Sequence, residues 1–224
     1  MADTKFSPYV DSVISESLTK INLYFEKQWW SILGIDSGPN YTDLKLGTVY
    51  IFNPIKEPAE RLKAYEDPGS LTIYCDYDNS YYWHSMQSIG KDYQPKDNVK
   101  VPLHSVLAKE QVVVVAMDQL AQLFQRSNFK KGSPRDVTPM EPLINIPDPV
   151  LATYTHWTEP RFGDSCHAWK VFSNDSIVSP GMFNVLGPNI GIIGESYSLV
   201  QEWVDGSLTQ TNSYLEYLTQ SGDF

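Results

Sequence analysis

Apolar and polar side chains alternate most cleanly over Lys20-Ile-Asn-Leu-Tyr-Phe25, which predicts a strand with one buried face. Lys45 to Phe52 predicts a second strand, stopped by Asn53-Pro54, and Ser70 to Asp76 a third. Leu107 to Arg126 is predicted helical in spite of its four consecutive valines. Val113, Ala116, Met117, Leu120, Leu123 and Phe124 recur at helical spacing, and the run is too long for one strand. Val150 to Trp157 reads as a further strand, and Ile190 to Gly194 as a short buried one. Leu199 to Leu218 is predicted to be a helix, with Val200, Trp203, Val204, Ser207, Leu208, Thr211, Leu215 and Leu218 on one face. Between these elements lie loops. Trp29-Trp30 leads into a Gly-, Pro- and Asn-rich stretch, and residues 85 to 104 read as surface. Five prolines stiffen residues 132 to 149, and Gly163 to Ser173 is loop-like. Residues 1 to 14 read as a terminal arm.

The order of elements predicts an α+β fold: a mixed, antiparallel-leaning sheet with a helix, then one terminal strand–helix unit. A strand buried on both sides, as Ile190–Gly194 reads, needs neighbours that the rest of the chain does not obviously supply. At 224 residues the chain can bury a sizeable core, and 42% hydrophobic residues exclude a disordered protein. Seventeen basic against twenty-seven acidic residues leave a net charge of −10 and no basic stripe, which argues against nucleic acid. No apolar run reaches the length of a membrane span, and the first residues lack a signal-peptide pattern. Cys75 and Cys166 read as reduced thiols. A cytoplasmic location is therefore expected. His84, His104, His156 and His167 show no metal spacing, and no metal is expected.

Chemistry concentrates near the end. The apolar run closes on Gly194-Glu195, and a helix opens at Trp203-Val204-Asp205-Gly206. A carboxylate delivered to the mouth of a helix suits a nucleotide cofactor. This segment resembles the flavin-contacting C-terminal motif of the flavin-containing amine oxidases, the L-amino-acid oxidase and monoamine oxidase group. The resemblance extends upstream through Lys20 to Trp30, Thr42-Asp43-Leu44, Val49 to Pro54, Ile73 to Asp78 with Trp83, Met117 to Phe124, Ile146 to Pro149 and Trp157, in the family's order. It covers roughly Ser15 to Thr219. The family's G-x-G-x-x-G fingerprint is missing; Gly187, Gly191 and Gly194 have the wrong spacing for it.

The resemblance implies a substrate-binding domain over residues 15 to 160 and a FAD-contacting segment over 161 to 224. The terminal strand–helix unit would complete a Rossmann-like FAD domain supplied by a second polypeptide bearing the fingerprint. The chain would then be a subunit of a FAD-dependent oxidase acting on a small amine or L-amino acid, passing hydride to flavin N5 for reoxidation by oxygen. Lys20 matches the lysine that holds a water near N5, and is the candidate catalytic residue. Glu195, with Gly194, matches the cofactor's sugar-chain contact, where a carboxylate accepts hydroxyl hydrogens. Trp203 and Val204 match the helix start that faces the flavin pyrimidine edge, and Trp203 would also wall the substrate pocket. Tyr77, or Tyr74 in a shifted register, matches a tyrosine on the substrate carboxylate. Glu202 stands where the family has glycine, which opposes an anionic substrate more than it opposes the flavin. Gly206 inside a helix costs about 1 kcal/mol against alanine, so a close approach by backbone or cofactor is expected there. The alternative is a non-catalytic relic of the substrate domain, serving in binding or assembly.

Overall fold

A computed structural model describes residues 7–35, 37–52, 65–125, 146–158, 166–187, 190–201 and 203–222. Asn53-Pro54, most of the proline-rich connector, Arg126 and Glu202 lie outside the described residues. The chain forms two compact units, Leu18–His156 and a second made of Met1–Ser17 with Trp157–Phe224. The secondary structure is α+β, and every described strand pairing is antiparallel.

In the Leu18–His156 unit, β2 (Leu18–Phe25), β3 (Gly38–Tyr41), β4 (Thr48–Ile51), β5 (Gly69–Asp76), β6 (Val106–Leu107) and β7 (Leu151–His156) form one sheet in the order β3-β4-β5-β2-β7-β6. The period-2 pattern fixes the two faces of the sheet. Ile21, Leu23 and Phe25 share the buried face with Val49, Ile51, Leu71 and Ile73. Two helices cover that face: α2 (Tyr77–Gln87) through Trp83, and α3 (Glu110–Gln125) through Val112, Val113, Ala116, Leu120 and Phe124. Beyond β2 the chain turns through a short 3-10 helix, Trp29–Leu33, which buries Trp29 and Trp30 against Phe25 with edge-to-face rings 5.4 to 5.9 Å apart.

Helix α2 starts where the strand expected over Ser70 to Asp76 ends, and it takes in residues 85–87, which were expected as surface loop. Only Ser80 and Trp83 are buried along it, so its sequence carries no apolar period to read. The buried Ser80 belongs to a polar cluster inside the core. Thr19 Oγ1 lies 2.7 Å from Ser80 Oγ and 2.9 Å from His156 Nδ1, and the His84 ring stacks on His156 at 4.1 Å.

In the other unit, the segment expected as an arm holds helix α1 (Ser7–Val10) and strand β1 (Val13–Glu16). Strand β1 pairs with β8 (Cys166–Trp169), inside the stretch expected as loop. Helices α4 (Asp175–Gly181) and α5 (Val204–Ser221) complete the unit. Its core is small: Val178, Met182 and Tyr197, with partly buried Tyr9, Val10, Val13, Trp169, Val185 and Ile192 around them.

Two expectations fail here. Ile190–Gly194 forms no strand: Ile190 and Ile193 are exposed, and the segment is held by single bonds such as Ile192 N to Met182 O at 2.9 Å. An apolar run becomes a strand only where a neighbouring strand accepts its ladder. Helix α5 also buries a different face from the one its apolar residues mark. Gly206 and Gln210 are inside, and Gln210 exchanges hydrogen bonds with Ser179 at 2.9 and 3.1 Å. Val204, Leu208 and Leu215 are exposed.

Candidate functional site

Cross-strand pairing lines up the polar face of the large sheet in rows, because directly paired residues share a face. One row runs Tyr41, Thr48, Tyr74, Lys20, Thr155 across β3, β4, β5, β2 and β7. The next runs Pro39, Tyr50, Thr72, Asn22, Thr153, Leu107 across all six strands. Both described helices, α2 and α3, pack on the opposite face.

Lys20 sits in the middle of this polar face. Its Nζ lies 5.1 Å from the Tyr74 ring centroid, a cation–π distance. Burial pushes the Lys20 ammonium below its usual value. Tyr74, the alternative residue to Tyr77, is thus the cross-strand partner of Lys20. Tyr50 meets Tyr74 edge-to-face at 5.8 Å. Burial, then neighbouring Tyr41 and Asp76, push the Tyr50 phenol above its ordinary value. Asn22 is clamped, donating to Thr153 Oγ1 at 3.3 Å and accepting from Thr72 Oγ1 at 2.7 Å.

Tyr77 opens α2 with φ +47° and is exposed. A bulky residue in the left-handed region is strained, and such strain gathers at functional positions. The sequence offered Tyr77 as a candidate without revealing that strain. Tyr50, Asn22 and Tyr41 were not singled out from the sequence. Their only signal was a polar side chain at each alternate strand position.

Gly194, Glu195, Trp203 and Val204 all belong to the other unit. Glu195 Oε1 lies 2.5 Å from His167 Nδ1, and Ser196 Oγ stands 3.0 Å from the same nitrogen. Strand β8 positions His167; the Glu195–Tyr197 3-10 turn positions the other two. A hydrolytic triad needs its nucleophile and its carboxylate on opposite ring nitrogens. With both on Nδ1, Ser196 is not set up as a nucleophile, and the cluster is a carboxylate orienting an imidazole. His167, read as loop from the sequence, is therefore the residue the structure adds to Glu195.

Trp203 caps α5 with extended backbone and is half exposed; Val204, the first helical residue, is 72% exposed. Among the described residues no side-chain hydrogen bond caps this N-terminus, and Asp205 sits in the first turn. The chain doubles back tightly before the helix. A Cβ on Gly206 would stand 1.9 Å from the Val200 carbonyl oxygen, so neighbouring backbone, and not a cofactor, explains this glycine. Around the helix start Ile193, Leu199, Val200 and Trp203 are all exposed.

Among the described residues no group of histidine, cysteine or carboxylate side chains could hold a metal ion. Cys75 and Cys166 are buried and not joined to each other in a disulfide, and burial pushes the Cys75 thiol up, away from reactivity. Among the described residues no helix is long and apolar enough to cross a membrane. The chain matches no protein-family model, and no curated protein is similar to it.

Proposed function

We propose that the chain is the substrate-domain and flavin-contacting portion of a FAD-dependent oxidase of amines or L-amino acids, completed by a second polypeptide that carries the dinucleotide-binding half. The observation that carries this reading is Lys20. A half-buried lysine at the centre of a polar, aromatic sheet face, on the side opposite the unit's described helices, carries a desolvation cost. It suits a group that holds a water or a proton against a reacting centre.

FAD, when bound, supplies the hydride acceptor and the oxygen chemistry. The residues of this chain do the rest. Lys20, with its depressed proton affinity, holds and exchanges a proton at Nζ. Tyr50 and Tyr74 supply ring faces and edges for an amine. The uncapped N-terminus of α5 offers backbone N–H groups to a polar ring edge. The exposed apolar group at Ile193, Leu199, Val200, Trp203 and Val204 supports a partner polypeptide, since a small core surrounded by so much apolar surface is poorly stable alone. Fit is less complete at Glu195, because Oε1 already meets His167 and Ser196. That engagement favours the second reading, a non-catalytic protein that retains the substrate domain for binding or assembly.

The test begins with the complex isolated from its native cells through this chain. The oxidase reading expects one FAD per chain. It also expects that Lys20→Met keeps the flavin while slowing oxygen-dependent reoxidation more than reduction in stopped-flow half-reactions. A colourless complex, or a coloured one whose half-reactions ignore Lys20, overturns the oxidase reading and leaves the binding one.

A further inference from the structure

Resting on the reading above, in which a second polypeptide completes this chain, we propose that the outer face of α5 is a docking seam for one helix of that polypeptide. The docking helix carries an apolar stripe flanked by lysines or arginines.

Val204, Leu208, Thr211, Leu215 and Leu218 follow one another along α5 at steps of four, three, four and three residues. At ~3.6 residues per turn they share one side of the helix, over a length of about 21 Å. Val204, Leu208 and Leu215 are exposed, and Thr211 and Leu218 are half-buried. The opposite side is the one the unit itself uses. Gly206 and Gln210 are buried there, and the Tyr214 and Tyr217 rings meet Phe183 with centroids 5.5 and 5.6 Å away. Thr211 is the polar member of the row. Its hydroxyl already donates to Ser207 O at 2.7 Å, so it asks for no polar group from outside.

The width of the stripe selects a helix as the occupant. Helix α3 lies on a sheet, and its inner side is broad: Val112, Val113, Ala116, Leu120 and Phe124 are buried, with Val115 and Leu123 beside them. The α5 stripe keeps only the two positions in seven that a helix–helix seam needs. Asp205, Asn212 and Thr219 border it on one flank, and Ser207, Tyr214 and Ser221 on the other. So narrow a stripe fits a second helix lying alongside at a shallow angle of about 20°.

Charge decides against a second copy of this chain. Helix α5 carries Asp205 and Glu216 and no lysine, arginine or histidine, and its last turn has no cation to meet the helix dipole. Among the described residues neither carboxylate is in an ion pair. Two copies of α5 would bring only acidic groups to their flanks, on chains that each carry a net charge of −10. Basic flanks on the incoming helix answer both the carboxylates and the dipole.

The test presents the full chain with fluorescein-labelled synthetic helices, four heptads long, and reads fluorescence anisotropy. The first has leucine at the seam positions and lysine on both flanks. The second has glutamate in place of lysine, and the third keeps the leucine–lysine composition in scrambled order. The first is expected to bind saturably, the second about tenfold more weakly, and the third not at all. Leu208→Asp and Leu215→Asp, both at exposed positions, should each weaken the first helix more than tenfold while circular dichroism shows the fold kept. Val114→Asp, at an exposed position of the other unit, should leave binding unchanged. No binding of the leucine–lysine helix, equal binding of the glutamate or scrambled one, or undiminished binding in either leucine variant overturns the proposal. So does a dimer of the chain alone, seen by analytical ultracentrifugation, that Leu208→Asp dissociates, since that gives the seam to a second copy. Flavin content of the native complex is read separately: a colourless complex refutes the oxidase chemistry and leaves the helix seam standing.

Discussion

Gly206→Ala separates two lines of reasoning that disagree in sign. Helix propensity alone says that alanine at this position stabilises α5 by about 1 kcal/mol. The tertiary structure says the reverse. The new Cβ would stand 1.9 Å from the Val200 carbonyl oxygen, and contacts below 3.0 Å are essentially never tolerated, so one of the two must shift by more than an ångström. The obstacle is backbone, which cannot swing away as a side-chain tip can. It is also tied down. Gln201 donates to Ser196 O at 2.6 Å and accepts from Trp169 N at 3.0 Å, and Val200 N donates to Ser198 Oγ at 3.1 Å. Overpacking against such a segment costs about 3 kcal/mol, the upper end of the usual range. Subtracting the propensity gain leaves a net destabilisation of about 2 kcal/mol, or roughly 4–8 °C in Tm for a chain of this size. The measurements are urea and thermal unfolding by circular dichroism, with hydrogen exchange of the α5 amides as the local readout. Thr209→Ala, at an exposed position of the same helix, is the propensity control and should stabilise slightly. If Gly206→Ala proves as stable as wild type, or more so, the packing of Val200 on α5 is not as described.

Four further outcomes are expected. Lys20→Met should be more stable than wild type at neutral pH, because the native site desolvates the charge. The unfolded lysine binds its proton more tightly than the native one, so wild-type stability rises as pH climbs from the lowered native value towards 10.5, and the gap to Lys20→Met should close in urea melts over that window. Thr19→Val removes the hydroxyl that Ser80 and His156 share inside the core and should cost about 1–3 kcal/mol in unfolding free energy from urea melts; a Thr19→Val, Ser80→Ala double variant costing the full sum of the singles would show that the cluster is not one network. Glu195→Gln should weaken FAD binding in the complex by about 1–3 kcal/mol, measured by equilibrium dialysis, and unchanged flavin content removes Glu195 from the cofactor site. Trp203→Ala should cost the isolated chain about 2 kcal/mol, since half of the residue is buried; in the complex the loss should be larger if this face is covered by a partner, and equal losses would refute that cover.

The sequence by itself determined the elements whose burial repeats along the chain. Strands β2 and β5 alternate because one face meets the core and the other does not, and α3 repeats at helical spacing because one stripe packs on the sheet. The α+β class, the strand that carries Lys20 and the need for a close approach at Gly206 were legible from local sequence alone. Only the tertiary structure decided what depends on partners far along the chain. Ile190–Gly194 is apolar enough for a strand, yet it pairs with no strand among the described residues, so it stays irregular. Helix α2 lacks an apolar stripe because it buries a tryptophan and a hydrogen-bonded serine. Helix α5 turns Gln210 inward and leaves Leu208 and Leu215 exposed, and Ser179 gives that glutamine both of its hydrogen bonds. Register set Tyr74 opposite Lys20, a pairing the sequence did not give, since a strand pattern states which face a residue takes but not which residue it will meet.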